Sequence, residues 1–318
     1  MPPEQEKALK YILPLLCVFL LSCTHSPKTG CNPELLQTTP LPHYPSASSV
    51  ALVGDRLYVI GDDAPYLLVL DRDHRPVDSL RLFESATARI PKPIKADLES
   101  SAFISIHDTG YLYAISSFST PARNRVLCLA TGNDGPPRLI DNRIVSLHLP
   151  AVSQLNIEGA AFVQDRLVLS NRANTTNTVN QLLVTRLVNG IPDTGNSTII
   201  PLMLPGITKT AGISGLHYVA EKDLLLFSAS TEDTPNAYTD GTVGESYIGY
   251  IRAFSTRWHS DRLTADTLIP LSPCLGQSLP QKIESITAEP LPGNMLEIHL
   301  AADNDNGQSM LYKMRWQL

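Results

Sequence analysis

Short hydrophobic runs, alternating or continuous, dominate the chain from residue 46 onward, and long helical periodicity is absent. The runs are rich in β-branched and aromatic residues and are bounded by Gly, Asp, Asn or Pro, a pattern that predicts β-strands. The predicted strands are residues 56–61, 66–71, 111–116, 125–130, 165–170, 180–187, 223–230, 247–254, 295–303 and 309–316. The pattern therefore predicts an all-β protein.

The hydrophobic runs recur within a repeated module. Small or acidic residues lead into a first strand, a turn such as GDR, QDR or EKD follows, and further strands come after it. When the modules are aligned on the leading motif, one equivalent position, here called the repeated column, holds Ser48, Glu99, Glu158, Ser214 and Glu284. Repeats of about 40 to 50 residues with about four strands each are typical of a β-propeller. We expect five four-stranded antiparallel blades. A sixth could lie in residues 256–280 or be closed by the N-terminal segment, and a pair of β-sandwiches is the rival fold.

The repeated column predicts a ring of side chains. The innermost strand of each propeller blade lines the central channel, so a residue at its start lies near one mouth of that channel. Converging carboxylates repel each other and need a cation, water or basic partners. The predicted ligand-binding residues are Glu99, Glu158, Glu284, Arg123, Arg172, Lys282 and Ser214. A purely structural role for the glutamates, as caps of backbone N–H groups at the channel, stays open beside this role.

Oxygen-rich clusters after the second strands suit Ca²⁺, which takes six to eight oxygen ligands. The predicted metal ligands are Glu158, Glu284, Asp303, Asp305 and Asp62. The stretch DNDNG at residues 303–307 lacks the spacing of an EF-hand, and a polar hairpin turn is the alternative there. The mixture of Arg, Lys and carboxylates also allows a site for phosphate or an acidic sugar, or a network that neutralises itself.

The N-terminus predicts an export signal. An apolar run of about 11 residues, 11–21, is too short to span a bilayer as a helix, and Pro14 interrupts it. LLSC at residues 20–23 resembles a bacterial lipobox, which is cleaved before an acylated cysteine; an ordinary signal peptide is the alternative. We therefore expect a signal peptide at 1–22, a flexible tether at 23–45 that starts at acylated Cys23, and a propeller at 46–318. The protein would be exported and lipid-anchored in the cell envelope, periplasmic or outer-membrane.

Composition and charge narrow the possible functions. The chain is 43% hydrophobic and 18% charged, as expected of a folded globular protein. Its formal net charge is −6 and its basic residues are not clustered, which argues against nucleic-acid binding. Cys31 and Cys274 could pair in an oxidising compartment, although the spacing does not prove a disulfide. Cys128 lies in a predicted strand and is expected to be a buried thiol.

Three stretches carry a family resemblance: KADLESSAFI, LNIEGAAFVQDRLVLSNRAN and STEDTPNAYTDG. They resemble a family of uncharacterised bacterial β-propeller lipoproteins. That family is distantly similar to phytase-like propellers and to those named for the esterase-like activity of phytase, where DLEG-A repeats also introduce inner strands. The resemblance covers residues 46–318 and implies a propeller fold that can carry bound calcium. Ser48 and Ser214 depart from the acidic pattern, so the resemblance does not imply a complete carboxylate ring.

Motifs of common enzymes are absent: the sequence has no G-x-S-x-G, H-E-x-x-H, P-loop or G-x-G-x-x-G. His217 follows Ser214 closely, but a structural role is the default for a histidine in a strand. The sequence favours a monomeric, lipid-anchored propeller that binds a ligand, ion or protein partner at the channel face. The alternatives are a calcium-dependent hydrolase of phosphate esters, with Arg123, Arg172 and Lys282 holding the anion, and an envelope scaffold. Whether the protein is an enzyme stays open.

Overall fold

Five β-sheets surround a central axis in this computed structural model. The structure describes residues 31–131, 136–145, 147, 152, 154–232, 243–276, 280–303 and 307–318. The innermost strands of the five sheets contact one another in cyclic order, so the sheets are the blades of a propeller. The prediction of an all-β propeller with five blades is confirmed. The predicted signal peptide, Cys23 and the first part of the tether lie outside the described residues.

The strands of each blade follow one another from the axis to the rim. Blade 1 contains β2 (Ala47–Val53), β3 (Arg56–Gly61), β4 (Tyr66–Asp71) and β5 (Pro76–Arg81). Blade 2 contains β6 (Leu98–Ile106), β7 (Thr109–Ser116), β8 (Arg125–Thr131) and β9 (Arg138–Ile144). Both are antiparallel meanders, in which the strand on the axis pairs on one side only.

The other blades vary this plan slightly. Blade 3 contains β10 (Ile157–Val163), β11 (Arg166–Asn171), β12 (Asn180–Thr185), β15 (Thr198–Met203) and β19 (Leu263–Thr264), the last of which pairs in parallel. A small hairpin, β13 (Leu187–Val188) and β14 (Ile191–Pro192), follows β12. Blade 4 contains β16 (Ala211–Val219), β17 (Leu224–Glu232), β18 (Val243–Arg252) and β20 (Thr267–Pro270). Blade 5 contains β21 (Ile283–Leu291), β22 (Met295–Asp303), β23 (Ser309–Gln317) and β1 (Glu34–Leu41).

Helices are few and short in the described part of the chain. They are α1 (Phe254–Arg257), α2 (Ser272–Leu275) and 3-10 turns at Thr194–Asn196 and Ala220–Lys222. Among the described residues, none of the helices has the length and apolar composition needed to cross a membrane. The core lies between the blades, in clusters of buried aliphatic and aromatic side chains from facing sheets.

The segment Glu34–Leu41 forms a strand, although the sequence predicts a tether up to residue 45. This strand, β1, pairs with β23 from Glu34 opposite Arg315 to Leu41 opposite Ser309. Its exposure alternates along most of its length, as expected of a rim strand with one face on the core. The propeller therefore begins before residue 46, and its first and last strands close the ring within one sheet.

A disulfide secures this closure. Cys31, just before β1, is bonded to Cys274 in α2, with their Cα atoms 5.2 Å apart. The pairing that the sequence leaves open is therefore present in the structure. Cys128 is the free cysteine of the described residues, and it is half-buried rather than buried.

A buried polar chain also joins the first and last blades. His74 Nε2 lies 2.8 Å from His299 Nδ1, and His74 Nδ1 lies 3.1 Å from Thr39 Oγ1 on β1. Burial lowers the pKa of His74 to about 3 and also lowers the pKa of His299. Both imidazoles are therefore neutral near pH 7, and they link β1, blade 1 and blade 5 through hydrogen bonds.

Small residues let the inner strands approach closely. A Cβ atom on Gly215 would lie 2.8 Å from the Cα of Ser285 and 3.0 Å from the backbone N of Ile286. Because these are backbone atoms of the neighbouring inner strand, they have little room to move. The glycine thus sets the spacing between blades 4 and 5.

We expect Gly215→Ala to lower the free energy of unfolding by about 1–3 kcal/mol through overpacking. Urea denaturation measures the change. Gly195→Ala is the matched control, because its nearest neighbour, Asp193 Oδ1, would lie 3.5 Å from the new Cβ. Equal stability of the Gly215 variant and the control would show that the inner strands are not closely packed at this point.

Candidate functional site

A β-bulge occurs at the same place in the innermost strand of every blade. Each bulge interrupts the pairing near the start of β2, β6, β10, β16 or β21. The residues at the five bulges are Ser48, Glu99, Glu158, Ser214 and Glu284. This set, here called the bulge column, is the column that the sequence repeat predicts. A bulge redirects a side chain out of the regular alternation, which explains why one position differs from the small, apolar strand around it.

The two serines of the bulge column bind backbone groups of the next blade. Ser48 Oγ donates a hydrogen bond to the carbonyl of Leu98, and Ser214 Oγ donates one to the carbonyl of Ile283 at 2.6 Å. Each carbonyl belongs to the residue directly before a glutamate of the bulge column. Ser214, predicted as a ligand-binding residue, is 1% exposed and instead holds the bulge that carries Glu284.

A cavity of about 110 Å³, here called the acidic mouth, opens at the bulge column. All five blades line it, and its lining contains seven carboxylates and five basic side chains. Six of the seven residues predicted to bind a ligand line it: Glu99, Glu158, Glu284, Arg123, Arg172 and Lys282. Of the predicted metal ligands, Asp62 and Asp303 also line it, and Asp305 lies outside the described residues.

One side of the acidic mouth holds an ionic cluster from blades 1 and 2. The ammonium group of Lys95 contacts Asp62 and lies 2.7 Å from Asp97 Oδ1. Arg123 Nη1 lies 3.0 Å from Asp97 Oδ2. With Glu99, this cluster contains three carboxylates and two basic groups.

The other side holds a second cluster from blades 3, 4 and 5. Arg172 contacts Glu158, and its guanidinium also lies 3.2 Å from Glu232 Oε2 and 3.6 Å from Glu284 Oε2. Lys282 Nζ lies 3.0 Å from Glu284 Oε1. This cluster again combines three carboxylates with two basic groups. With every group ionised, the named groups of each cluster have a formal net charge of −1.

Glu99 differs from the other glutamates of the bulge column. Glu158 and Glu284 have salt bridges, whereas the described residues offer Glu99 neither a salt bridge nor a hydrogen bond. Burial, followed by the charges of Asp97 and Asp62, raises the pKa of Glu99 well above its ordinary value. Glu99 is therefore a carboxyl group in the mouth that has no direct basic partner among the described residues and that resists ionisation.

Two other carboxyl groups of the acidic mouth are also shifted. Burial raises the pKa of Glu158 to about 7, against the opposing effect of Arg172. Burial likewise raises the pKa of Asp62 to about 6, against the opposing effect of Lys95. Asp62 Oδ1 is buried and has no hydrogen-bond partner among the described residues, although Oδ2 contacts Lys95. The mouth thus has acceptor oxygens that its own donors leave unsatisfied.

The carboxylates of the described residues do not by themselves form a calcium shell. Oxygens of Asp62, Asp97 and Glu99 lie within 4.8 Å of one another, but the ammonium group of Lys95 contacts the first two. Glu158 and Glu284, predicted as metal ligands, share their oxygens with Arg172. Since Ca²⁺ takes six to eight oxygens, the described residues do not fit it as they are arranged.

Asp97 is one of the site residues that the sequence-based prediction missed, together with Lys95 and Glu232. It lies two residues before Glu99, in the left-handed region at φ 57°, and pairs with both Lys95 and Arg123. An acidic residue is uncommon but tolerated in that region, so the sequence carries no strong signal for it. His217 does not line the acidic mouth in the described structure; it lies in a second cavity further along the channel.

Comparisons with known proteins find a matching family and proteins of similar structure. A model of a family of unknown function (DUF6929) matches residues 43–316. A search of curated proteins finds no match. A glutaminyl cyclase from Myxococcus xanthus is similar with a TM-score of 0.51 and 12% identity, covering 89% of this chain and 96% of that one. An arabinanase from Bacillus subtilis has a TM-score of 0.44 and 13% identity, covering 87% and 96%.

A DUF4623 family protein from Bacteroides eggerthii has a TM-score of 0.39 and 9% identity, covering 91% of this chain and 77% of that one. At such identities the similarity shows the fold alone. The expected resemblance to an uncharacterised family is confirmed by the match to a family of unknown function. The distant similarity to phytase-like propellers stays a prediction, because these comparisons show no such link.

Proposed function

We propose a function from the site itself, since the chain belongs to a family of unknown function (DUF6929): its acidic mouth binds a small organic ligand that carries positive charge. The observation that supports this most directly is Glu99, a carboxyl group that a bulge directs to the mouth and that has no salt bridge among the described residues. This specifies the broader prediction that the channel face binds a ligand, ion or protein partner.

The charge balance supports a cationic ligand. Each ionic cluster has one carboxylate more than it has basic groups, so a positive charge in the mouth would relieve repulsion on both sides. The unsatisfied Oδ1 of Asp62 and the carboxyl group of Glu99 can accept hydrogen bonds, and an ammonium group donates up to three. Hydrogen bonds between charged groups contribute more than neutral ones, about 1.5–3 kcal/mol each.

The same contacts weigh against an anionic substrate. Arg172 is shared by three carboxylates, and Arg123 is paired with Asp97. A phosphate would have to displace these internal carboxylates while approaching Glu99. The calcium-dependent hydrolase of phosphate esters therefore remains an alternative that no observation favours.

The cellular setting is part of the proposal. An exported, lipid-anchored monomer of the cell envelope is proposed from the apolar run at residues 11–21 and from LLSC at residues 20–23. The disulfide Cys31–Cys274 supports export, because disulfides persist mainly in oxidising compartments.

Glu99→Gln is expected to weaken ligand binding at least tenfold, because it removes the carboxyl group that can ionise beside a bound cation. The test is thermal unfolding with millimolar 1,3-diaminopropane, at constant ionic strength, since a ligand of the native state raises its stability. The diamine should raise the midpoint of the wild-type protein and of Glu221→Gln, a control on an exposed 3-10 turn.

Two further probes separate the alternatives. Inorganic phosphate should leave the unfolding midpoint unchanged, and a rise with phosphate would count against the proposal. CaCl₂ should also have little effect; a rise that Glu99→Gln abolishes would assign the site to a metal instead. An amine effect that survives in the Glu99 variant would show that the mouth is not the binding site.

A further inference from the structure

We propose a second binding site in the same channel, for a small uncharged ring compound that carries hydrogen-bonding groups. It occupies the cavity formed by the middle and later parts of the inner strands, here called the far cavity. The far cavity and the acidic mouth share no lining residue. The proposal is independent of the function proposed for the acidic mouth.

The far cavity has the size of a small ring. Its volume is about 120 Å³, and all five inner strands contribute to its lining. An apolar cavity of about 150 Å³ in another protein holds benzene, so a single ring is the scale of ligand to expect. In contrast to the acidic mouth, the described lining contains no Asp, Glu, Lys or Arg.

Aromatic side chains surround this cavity at equivalent places. The positions four residues after the bulge column hold Phe103, Phe162 and Tyr218 in blades 2, 3 and 4, and Leu52 in blade 1. The three aromatic residues are partly exposed, so their rings are not fully used by the core between the blades. Aromatic rings prefer offset or edge contacts with other rings, which adds to the effect of apolar burial.

One side of the cavity is polar. Three residues after the bulge column, blades 1 to 3 have alanine, whereas blades 4 and 5 have His217 and Thr287. His217 Nδ1 lies 3.3 Å from Thr287 Oγ1, which accepts a hydrogen bond from the backbone N–H of Leu52 at 3.0 Å. Burial lowers the pKa of His217 to about 4, so its ring is neutral near pH 7.

The inner strands supply further hydrogen-bonding groups. Each is the edge strand of its sheet, so one edge of its backbone faces the channel. An ionic ligand would lose its hydration there without meeting an opposite charge. An uncharged ring with a donor or acceptor would keep its apolar face on the aromatic residues and its polar group on these edges.

Isothermal titration of the full chain with indole, benzylammonium and benzoate tests the proposal. Indole should bind saturably, and benzoate at least tenfold more weakly. Benzylammonium, a cation, should bind at the acidic mouth, so saturating 1,3-diaminopropane should compete with it. The same diamine should leave indole binding at the far cavity unchanged. The two titrations therefore distinguish failure of one site from failure of the other. His217→Ala should weaken indole binding at least tenfold, whereas Glu221→Gln should not.

The His217 variant removes a partly buried, hydrogen-bonded ring, so a measurement on the wild-type protein accompanies it. In an indole titration followed by NMR, the backbone amides of Phe103, Phe162 and Tyr218 should shift together. Absence of saturable binding, equal affinity for benzoate, or shifts that avoid these three residues would overturn the proposal.

Discussion

Replacing Arg172 with methionine is expected to lower the free energy of unfolding by about 3–5 kcal/mol near pH 7, the usual effect of breaking a buried ion pair. The Arg172 side chain is 7% exposed and pairs with one glutamate from each of three blades, Glu158, Glu232 and Glu284. Its loss removes the basic group that these three largely buried carboxylates share. Methionine fills similar space, so the lost charge accounts for most of the change.

The loss of unfolding free energy caused by Arg172→Met should become smaller as the pH falls. Arg172 lowers the pKa of Glu158, so its removal lets the pKa rise further above about 7. A carboxyl group whose pKa is higher in the folded state binds more protons there, and stability then falls as the pH rises. The stability difference from the wild-type protein should therefore be largest at pH 7 to 8 and smaller near pH 5.

Urea denaturation at several pH values measures both effects. Arg75→Met is the matched control, because the side chain of Arg75 is 74% exposed and its salt bridges should contribute less than about 1 kcal/mol. The double variant Arg172→Met/Glu158→Gln should recover part of the stability. If Arg172→Met were as stable as the control at pH 7, the second ionic cluster would not hold the three blades together.

Replacing Cys31 and Cys274 with serine is expected to lower the free energy of unfolding by about 2–4 kcal/mol. The disulfide joins residues 243 positions apart and ties the start of β1 to α2. Without it the unfolded chain gains freedom, and β1 can separate more easily from β23. The closure of the ring should therefore become the first point of local unfolding.

Urea denaturation with and without a reductant measures the predicted contribution of the disulfide to the free energy of unfolding. Cys128→Ser is the matched control, since Cys128 is a free, half-buried thiol. A reductant should destabilise the wild-type protein and Cys128→Ser, but not the double serine variant. Unchanged stability of the wild-type protein in reductant would show that the disulfide does not hold the closure.

The sequence predicted the second and third strands of the blades better than the strands at the rim. Strands β3, β4 and β22 have the predicted bounds, because continuous apolar runs mark strands buried on both faces. The rim strands β5 and β9 were not predicted, since polar and exposed positions interrupt their alternation. The strand β1 was missed because its partner, β23, lies at the other end of the chain.

For the site, the repeat located the bulge column but not its contacts. Glu99 and Glu158 occupy the same position in their modules, yet only Glu158 meets an arginine from its own blade. Arg172 and Glu284 are 112 positions apart, and their pairing depends on how the ring closes. The repeat alone could not show that Ser214 binds backbone, because a serine at a channel mouth fits either role.

The point where the chain joins the propeller has a practical consequence. Asn32, next to Cys31, exchanges hydrogen bonds with the backbone of Gln317, whose side chain reaches the hairpin at Gly293 and Asn294. That hairpin is at the opposite end of β21 from Glu284. A sensor surface or fluorescent fusion attached ahead of Cys31 would therefore leave the acidic mouth open to the solution, so immobilised protein is suited to ligand screening.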